Sequence, residues 1–267
     1  MAGPQRKKSG SGGGTLLGIG LLLAAVAVVG ITGVKYYDAA NGLDIDATSL
    51  CPEDGPSGHL AILVDTTDPI TLSQLQASRQ IIEKRIDQAK VFTRISFSTV
   101  SPLSEVRQSA FFSLCKPPTG KNASKLTENQ RIIKEKFHDG FERPMLDALD
   151  SVMSIGEAPA SPIMEALQEF VTSIPGFNTS EEIREVILMS DLMQHSDAFS
   201  FYRGGTWSSF SDAAGPRRFG KNFKGAKLHL LRIPRRVKMA ATVDDFWRRY
   251  FDAQGFARIE VNQVGDL

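Results

Sequence analysis

Residues 60–71 read LAILVDTTDPIT, an apolar run that stops at an acidic, hydroxyl-rich turn of Asp65, Thr66, Thr67 and Asp68. Such an ending is either a capped strand-to-helix turn or the first half of a metal site. The second reading needs further oxygen donors later in the chain. EVILMSD repeats the form of the opening stretch, a short apolar strand that closes on Ser190 and Asp191. ASPIMEAL adds a hydroxyl in Ser161, just ahead of Pro162 in a first helical turn, a favoured place for proline. A hard cation such as Mg²⁺ takes oxygen ligands in octahedral geometry and usually keeps waters beside one or two carboxylates. Asp65, Thr67, Ser161 and Asp191 form such a donor set, with Mn²⁺ as the alternative ion. The remaining alternative is that the acids serve only as turn caps.

These residues need elements to hold them. LAILV reads as a strand covered on both faces, because its apolar run is continuous. TLSQLQASRQIIEKRIDQA places Leu72, Leu75, Ile82, Ile86 and Ala89 on one helical stripe. VFTRISFSTV and SAFFSLC read as strands joined by SPLSEVRQ, and KPPTGKNASK as a loop. A helix spans about Glu128–Met153 through Ile133, Phe137, Phe141, Met145 and Leu149, with Pro144 kinking or restarting it. After a second loop, IGEAPASP, comes the helix IMEALQEFVTSI. The strand EVILMSD, the strand KLHLLRIP, the helix VDDFWRRYFDAQ and the strand FARIEVNQV complete the order. Strands alternating with helices predict an α/β domain with a doubly wound, mostly parallel sheet flanked by helices. In such sheets ligands bind beyond the carboxyl ends of the strands, which is where LAILVD and VILMSD place their acids.

The N-terminal part is different in kind. MAGPQRKKSGSGGG (1–14) reads as a disordered basic tail, and Thr15–Val34 follows as twenty residues without a charge. That length fits one transmembrane helix, the rival reading being a cleaved signal peptide with a shorter apolar region. Arg6, Lys7 and Lys8 precede the span and acids follow it, so the N-terminus is expected in the cytoplasm and the rest outside, periplasmic in a bacterium. Residues 35–57 read as a tether and 58–267 as the folded domain. With 31 Lys+Arg against 30 Asp+Glu, net charge is +1 and nothing global points to nucleic acid. Cys51 and Cys115 both lie in the exported part, where one disulfide is permitted and two free thiols remain the alternative.

The ordered set DTTDP, SPIMEAL and MSDLMQHS resembles a von Willebrand factor A (vWA) domain carrying a variant metal-ion-dependent adhesion site, over roughly residues 58–263. The resemblance matches Asp65 and Thr67 to the first two ligands of that site, Ser161 to its Thr, and Asp191 to its later acid. Two positions depart from the family pattern. Pro69 stands where a further hydroxyl is usual, with Thr71 two residues beyond it, and Leu192 stands where Gly is preferred. The resemblance implies adhesion or assembly rather than chemistry, with a protein partner's carboxylate completing the metal's coordination. Degenerate members bind partners without a metal.

Other features compete for a role. Between Arg217 and Lys238 there are nine Lys/Arg residues and no acid, either a surface for anionic groups or a solvated loop flanking a strand. FSFYRGGTWSSF holds five aromatics around Gly204 and Gly205, either a recognition loop or a cover for the sheet edge. Phe199, Tyr202, Arg203, Trp207, Arg217 and Arg218 are accordingly candidates for partner contact. His195, four residues past Asp191, is a candidate ligand or general base, whereas His59, His138 and His229 show no ligand spacing. Asn122 and Asn178 fit the glycosylation pattern. No nucleophile elbow, phosphate loop, HExxH or CxxC pair is present. Two functions follow: a membrane-anchored partner-binding module, or a metal-dependent hydrolase of an anionic substrate.

Overall fold

The computed structural model describes residues 44–119, 130–213, 215–220 and 223–265. The proposed anchor Thr15–Val34, the basic tail, the start of the tether and Asn122 lie outside the described residues. Among the described residues no helix is long and apolar enough to cross a membrane.

The element order is β1 (Gly58–Val64), α1 (Leu72–Gln88), β2 (Thr93–Thr99), α2 (Ser104–Ser109), β3 (Phe112–Cys115), α3 (Gln130–Phe137), α4 (Arg143–Ser154), α5 (Ile163–Ser173), β4 (Ile183–Ser190), α6 (Trp207–Asp212), α7 (Gly215–Arg218), β5 (Lys227–Arg232), α8 (Ala240–Gln254) and β6 (Arg258–Gln263). The strands form one six-stranded sheet in the order β3-β2-β1-β4-β5-β6. All neighbours pair in parallel except β3, which runs antiparallel to β2 at one edge. The order reverses beside β1, at the β1–β4 boundary, so the sheet is doubly wound with its switch point there.

Helices cover both faces because each central strand is apolar on both sides. Ala61, Leu63, Val186, Leu188, Leu228 and Leu230 face α5, α8 and an aromatic cluster. Leu60, Ile62, Val64, Ile95, Phe97 and Ile187 face α1 and α4. The predicted stripe of α1 is rotated. Leu72 is 69% exposed at the first turn, and the helix buries Gln74, Ser78, Ile82 and Ile86 instead. The first turn is governed by its cap: Thr71 accepts from the Gln74 amide, and the Gln74 side chain returns a bond to the Thr71 amide. Thr71 is therefore engaged in capping, and it does not replace the hydroxyl missing at Pro69. At the other end of α1 the buried Lys116 ammonium donates to the carbonyls of Ile86, Asp87 and Ala89, at the carbonyl-rich end of the helix.

The helix restarts at Pro144, one of the two outcomes expected there: α4 begins at Arg143 with the proline in its first turn. A π-helical turn, His138–Glu142, joins α3 to α4, and the Arg143 amide donates to the His138 carbonyl, five residues back. A wide turn there accommodates a proline that has no N–H to give.

The tether reading is corrected from Ile45 onward, because the compact unit begins at that residue. Cys51 is joined to Cys115 by a disulfide, and the Cys115 amide donates to the Ser49 carbonyl, so this segment lies along the β3 edge. Asp46 folds it into a turn, accepting from the Thr48 and Ser49 amides and the Thr48 hydroxyl; these bonds hold its carboxyl down at about 2. Covering an edge strand in this way also removes a template for unwanted pairing.

Candidate functional site

Register brings the site together. Val64 pairs with Met189, so the next residues, Asp65 and Ser190, emerge side by side at the carboxyl ends of β1 and β4. The Asp65 amide donates to the Met189 carbonyl, and the Ser190 hydroxyl donates to Asp65 Oδ2 at 2.7 Å. Thr67 sits on the same side as predicted: its hydroxyl donates to Asp65 Oδ1 at 2.6 Å and its amide to the same oxygen at 3.2 Å. Ser161, at the turn into α5, donates to the Asp65 carboxylate at 3.2 and 3.4 Å. Asp65 is therefore surrounded by three hydroxyls in a space that is 4% exposed.

Asp191 lies one residue beyond β4 and is equally buried. Its Oδ1 accepts from the Met193 amide at 2.9 Å, and its Oδ2 pairs with Arg235 Nε at 2.8 Å. Arg232, the last residue of β5, donates to the Asp191 carbonyl and pairs with Asp244 at 3.1 Å. Asp68 completes the acidic group. Burial and the Asp191 charge push its carboxyl up, partly offset by Arg235. All four residues expected as ligands thus meet at one end of the sheet. Among the described residues, however, no three His, Cys, Asp or Glu side chains are grouped as metal ligands.

Burial and the neighbouring Asp191 charge raise Asp65 to about 6, despite the bonds from Thr67 and Ser190 that favour its ionised form. Because the folded value lies above the unfolded one, ionising Asp65 destabilises the metal-free fold. Stability is fully present below about pH 4 and is lost as pH rises through 6. A shift of about two units corresponds to roughly 3 kcal/mol. Chemical denaturation of the wild type and Asp65→Asn, with chelator present, should show the wild type losing about that much relative to the variant between pH 4 and pH 7. Parallel pH curves would show that Asp65 carries no such shift.

Leu192 follows Asp191 in the left-handed region, φ 65°, where Gly carries no steric cost. The side chain is 2% exposed, its amide donates to the Ser190 hydroxyl, and its carbonyl accepts from Trp247 Nε1. Apolar burial and two fixed backbone bonds hold a conformation that glycine would adopt freely.

The remaining candidates divide. Tyr202 is 55% exposed and Arg203 is also exposed; Tyr202 senses the charges of Asp68, Asp191 and Asp65, and burial together with these acids raises its hydroxyl. Trp207 is half-buried, and Arg217 and Arg218 are exposed. Phe199 is corrected: it is buried, stacked on Phe246 at 4.6 Å, and offers no partner surface. Five aromatics without a regular period do not reveal which ones turn inward. His195 is tied down, its backbone paired with Ser161 and its ring bonded to the Ser200 hydroxyl at 2.8 Å, and it contacts neither acid. His59 is buried, and burial with the charges of Arg94 and Arg184 pushes it down to about 4. His229 is buried between Glu185 and Glu260. Asn178 is exposed in the loop between α5 and β4.

Ser190, Asp68, Arg232 and Arg235 were missed. Ser190 is signalled by closing an apolar run directly ahead of Asp191. Arg232 closes β5 and Arg235 follows three residues later, so the strand-end argument reaches Arg232 but not Arg235.

Strand order and strand-end chemistry define this class as a doubly wound α/β domain with an acid–hydroxyl site at its switch point. No protein-family model matches the sequence, and no curated protein matches it. Solved structures resemble it, two of which follow. One is the SpRpn10 VWA domain, at 8% identity and a TM-score of 0.41, over 79% of this chain and 90% of that one. The other is the pilus adhesin SpaC from Lactobacillus rhamnosus GG in its open conformation, at 13% identity and a TM-score of 0.40, over 80% of this chain and 28% of that one.

Proposed function

We propose that the chain is a vWA-like partner-binding or assembly module, held at a membrane by Thr15–Val34 with its α/β domain outside. The observation that carries this reading is the convergence of Asp65, Thr67, Ser161 and Asp191 at the carboxyl end of the β1–β4 switch point. Such positions are where open α/β sheets bind ligands.

The donor set fits a hard divalent cation, Mg²⁺ or Mn²⁺. It is all oxygen, with two buried carboxylates and hydroxyls from Thr67, Ser161 and Ser190. Two like charges in a buried space favour an added positive charge. Pro69 contributes no side-chain donor, so fewer protein ligands and more waters would complete the shell. A bound cation would supply an open position for a partner's carboxylate. Tyr202, Arg203 and Trp207 stand on the same loop system, and they supply the surface that would distinguish one partner from another.

The test is calorimetric titration of Mg²⁺ and of Mn²⁺ into the detergent-solubilised full chain, beside Asp65→Ala. Saturable binding that disappears in the variant is the expected result. Absence of heat in both folded proteins, and equally in Arg235→Gln, would overturn the cation reading. In the same preparations, Mg²⁺-dependent turnover of a phosphate ester lost in Asp191→Asn would show a hydrolase instead.

A further inference from the structure

The basic segment, an anion surface or a solvated loop on sequence grounds, turns two of its arginines inward. Arg232 binds the Asp191 carbonyl and Asp244, and Arg235 binds the Asp191 carboxylate itself. The two differ in how firmly they are held. Arg232 ends a strand and is braced by the sheet, with the Ile233 amide donating to the Ser190 carbonyl. Arg235 lies two residues past that last ladder bond, after Pro234, in a stretch that is neither helix nor strand. Its side chain is 24% exposed, whereas that of Asp191 is 4% exposed. One end of this ion pair is dry and the other reaches solvent.

Charge counting shows what the pair does. Asp65, Asp68 and Asp191 bring three carboxylates to the site, and Arg232 and Arg235 bring two guanidiniums. With Asp244, which pairs with Arg232, the set holds four carboxylates against two guanidiniums, and the Arg235 guanidinium stands at the carboxylate to which a divalent cation would also be drawn. Two cations at one carboxylate repel each other, so each weakens the other's hold on Asp191. Both draw on the same carboxylate, since Arg235 Nε lies 2.8 Å from Asp191 Oδ2.

We propose that Arg235 is a built-in latch, an internal cation that occupies Asp191 at rest and competes with a divalent ion for it. The proposal rests on the cation reading of the same site. Its consequence is that cation affinity is set by how easily the 233–239 loop releases Arg235. A charge-assisted bond of this kind should weaken apparent cation affinity about tenfold to a hundredfold.

The experiment is Mg²⁺ calorimetry on the full chain as wild type, Arg235→Gln, Arg236→Gln, and the double variant Asp65→Ala/Arg235→Gln. Arg236→Gln removes a neighbouring charge without touching Asp191. Binding at least tenfold tighter in Arg235→Gln, little changed in Arg236→Gln and abolished in the double variant supports the latch. Binding in Arg235→Gln alone, with a silent wild type, supports it as well. Equal affinity in wild type and Arg235→Gln overturns the latch and leaves the cation site standing. No saturable binding in any protein overturns both. Should Arg235→Gln fold poorly, the wild type gives an independent reading through the Arg235 Nε–H resonance. Loss of its exchange protection on saturation with Mg²⁺ supports release, and persistence at saturation overturns it.

Discussion

Replacing both Cys51 and Cys115 by Ala should lower unfolding stability by roughly 4 kcal/mol, read from urea denaturation of the oxidised wild type and the double variant. The disulfide closes a separation of 64 residues, and in the chain-entropy picture a loop of that size restricts the unfolded chain by about this amount. The two sulfurs are also buried, so alanine leaves a small void at each position without introducing a polar group. What the link holds in place is specific. Without it, the Ser49 carbonyl loses its fixed approach to the Cys115 amide, and the edge of β3 is left uncovered. Reduction of the wild type with a thiol should reproduce the loss. A change below about 1 kcal/mol would show that the 45–52 segment is ordered by its own turn rather than by the covalent link.

Phe246→Ala should be nearly as costly, about 3–5 kcal/mol, because it empties the centre of an aromatic cluster. The ring stacks on Phe199 and meets Phe201, Trp207, Phe210 and Trp247 edge-on, with Tyr250 stacked beyond. It is fully buried, so the lost contacts cannot be replaced by water without further cost. The effect should reach the site. Phe199 and Phe201 anchor the loop that exposes Tyr202 beside Asp68 and Asp191. Thermal unfolding gives the stability change, and near-ultraviolet circular dichroism gives the loss of fixed ring packing. A stability loss under about 1.5 kcal/mol would mean that the neighbouring rings close over the gap, as well-repacked cores do.

The central strands were legible because a parallel sheet buries both faces, which writes a continuous apolar run into LAILV and VILM. The site was half legible for a related reason. Acids that close such runs fall at the carboxyl ends of strands, and Asp65 and Asp191 do so. The hydroxyl of Ser161 was reachable through the proline beside it. The partners that decide the electrostatics were harder to see, because they depend on side-chain direction in irregular backbone. Arg235 lay within a basic run whose members differ only in where their loop turns them. Phe199 and Tyr202 are three residues apart in one aromatic stretch, one inside and one out, and no period distinguishes them. The stripe of α1 was misplaced at Leu72 because the capping box, a polar feature, sets the first turn.

The cysteine link has a mechanical meaning. Cys115 pairs with Arg94 near the amino-terminal start of β2, which itself lies beside His59 at the start of β1. Cys51 is therefore fastened at the pole of the domain opposite Asp65 and Asp191, one strand length away, roughly 20 Å. A pull delivered between residues 45–51 and a partner seated on the acid site would run along the strands. It would load the parallel β1, β2 and β4 ladders in shear, all their bonds at once, rather than unzipping them one by one. The disulfide would meanwhile carry part of the force directly into the sheet edge, so that β1 is not the first element to be peeled away.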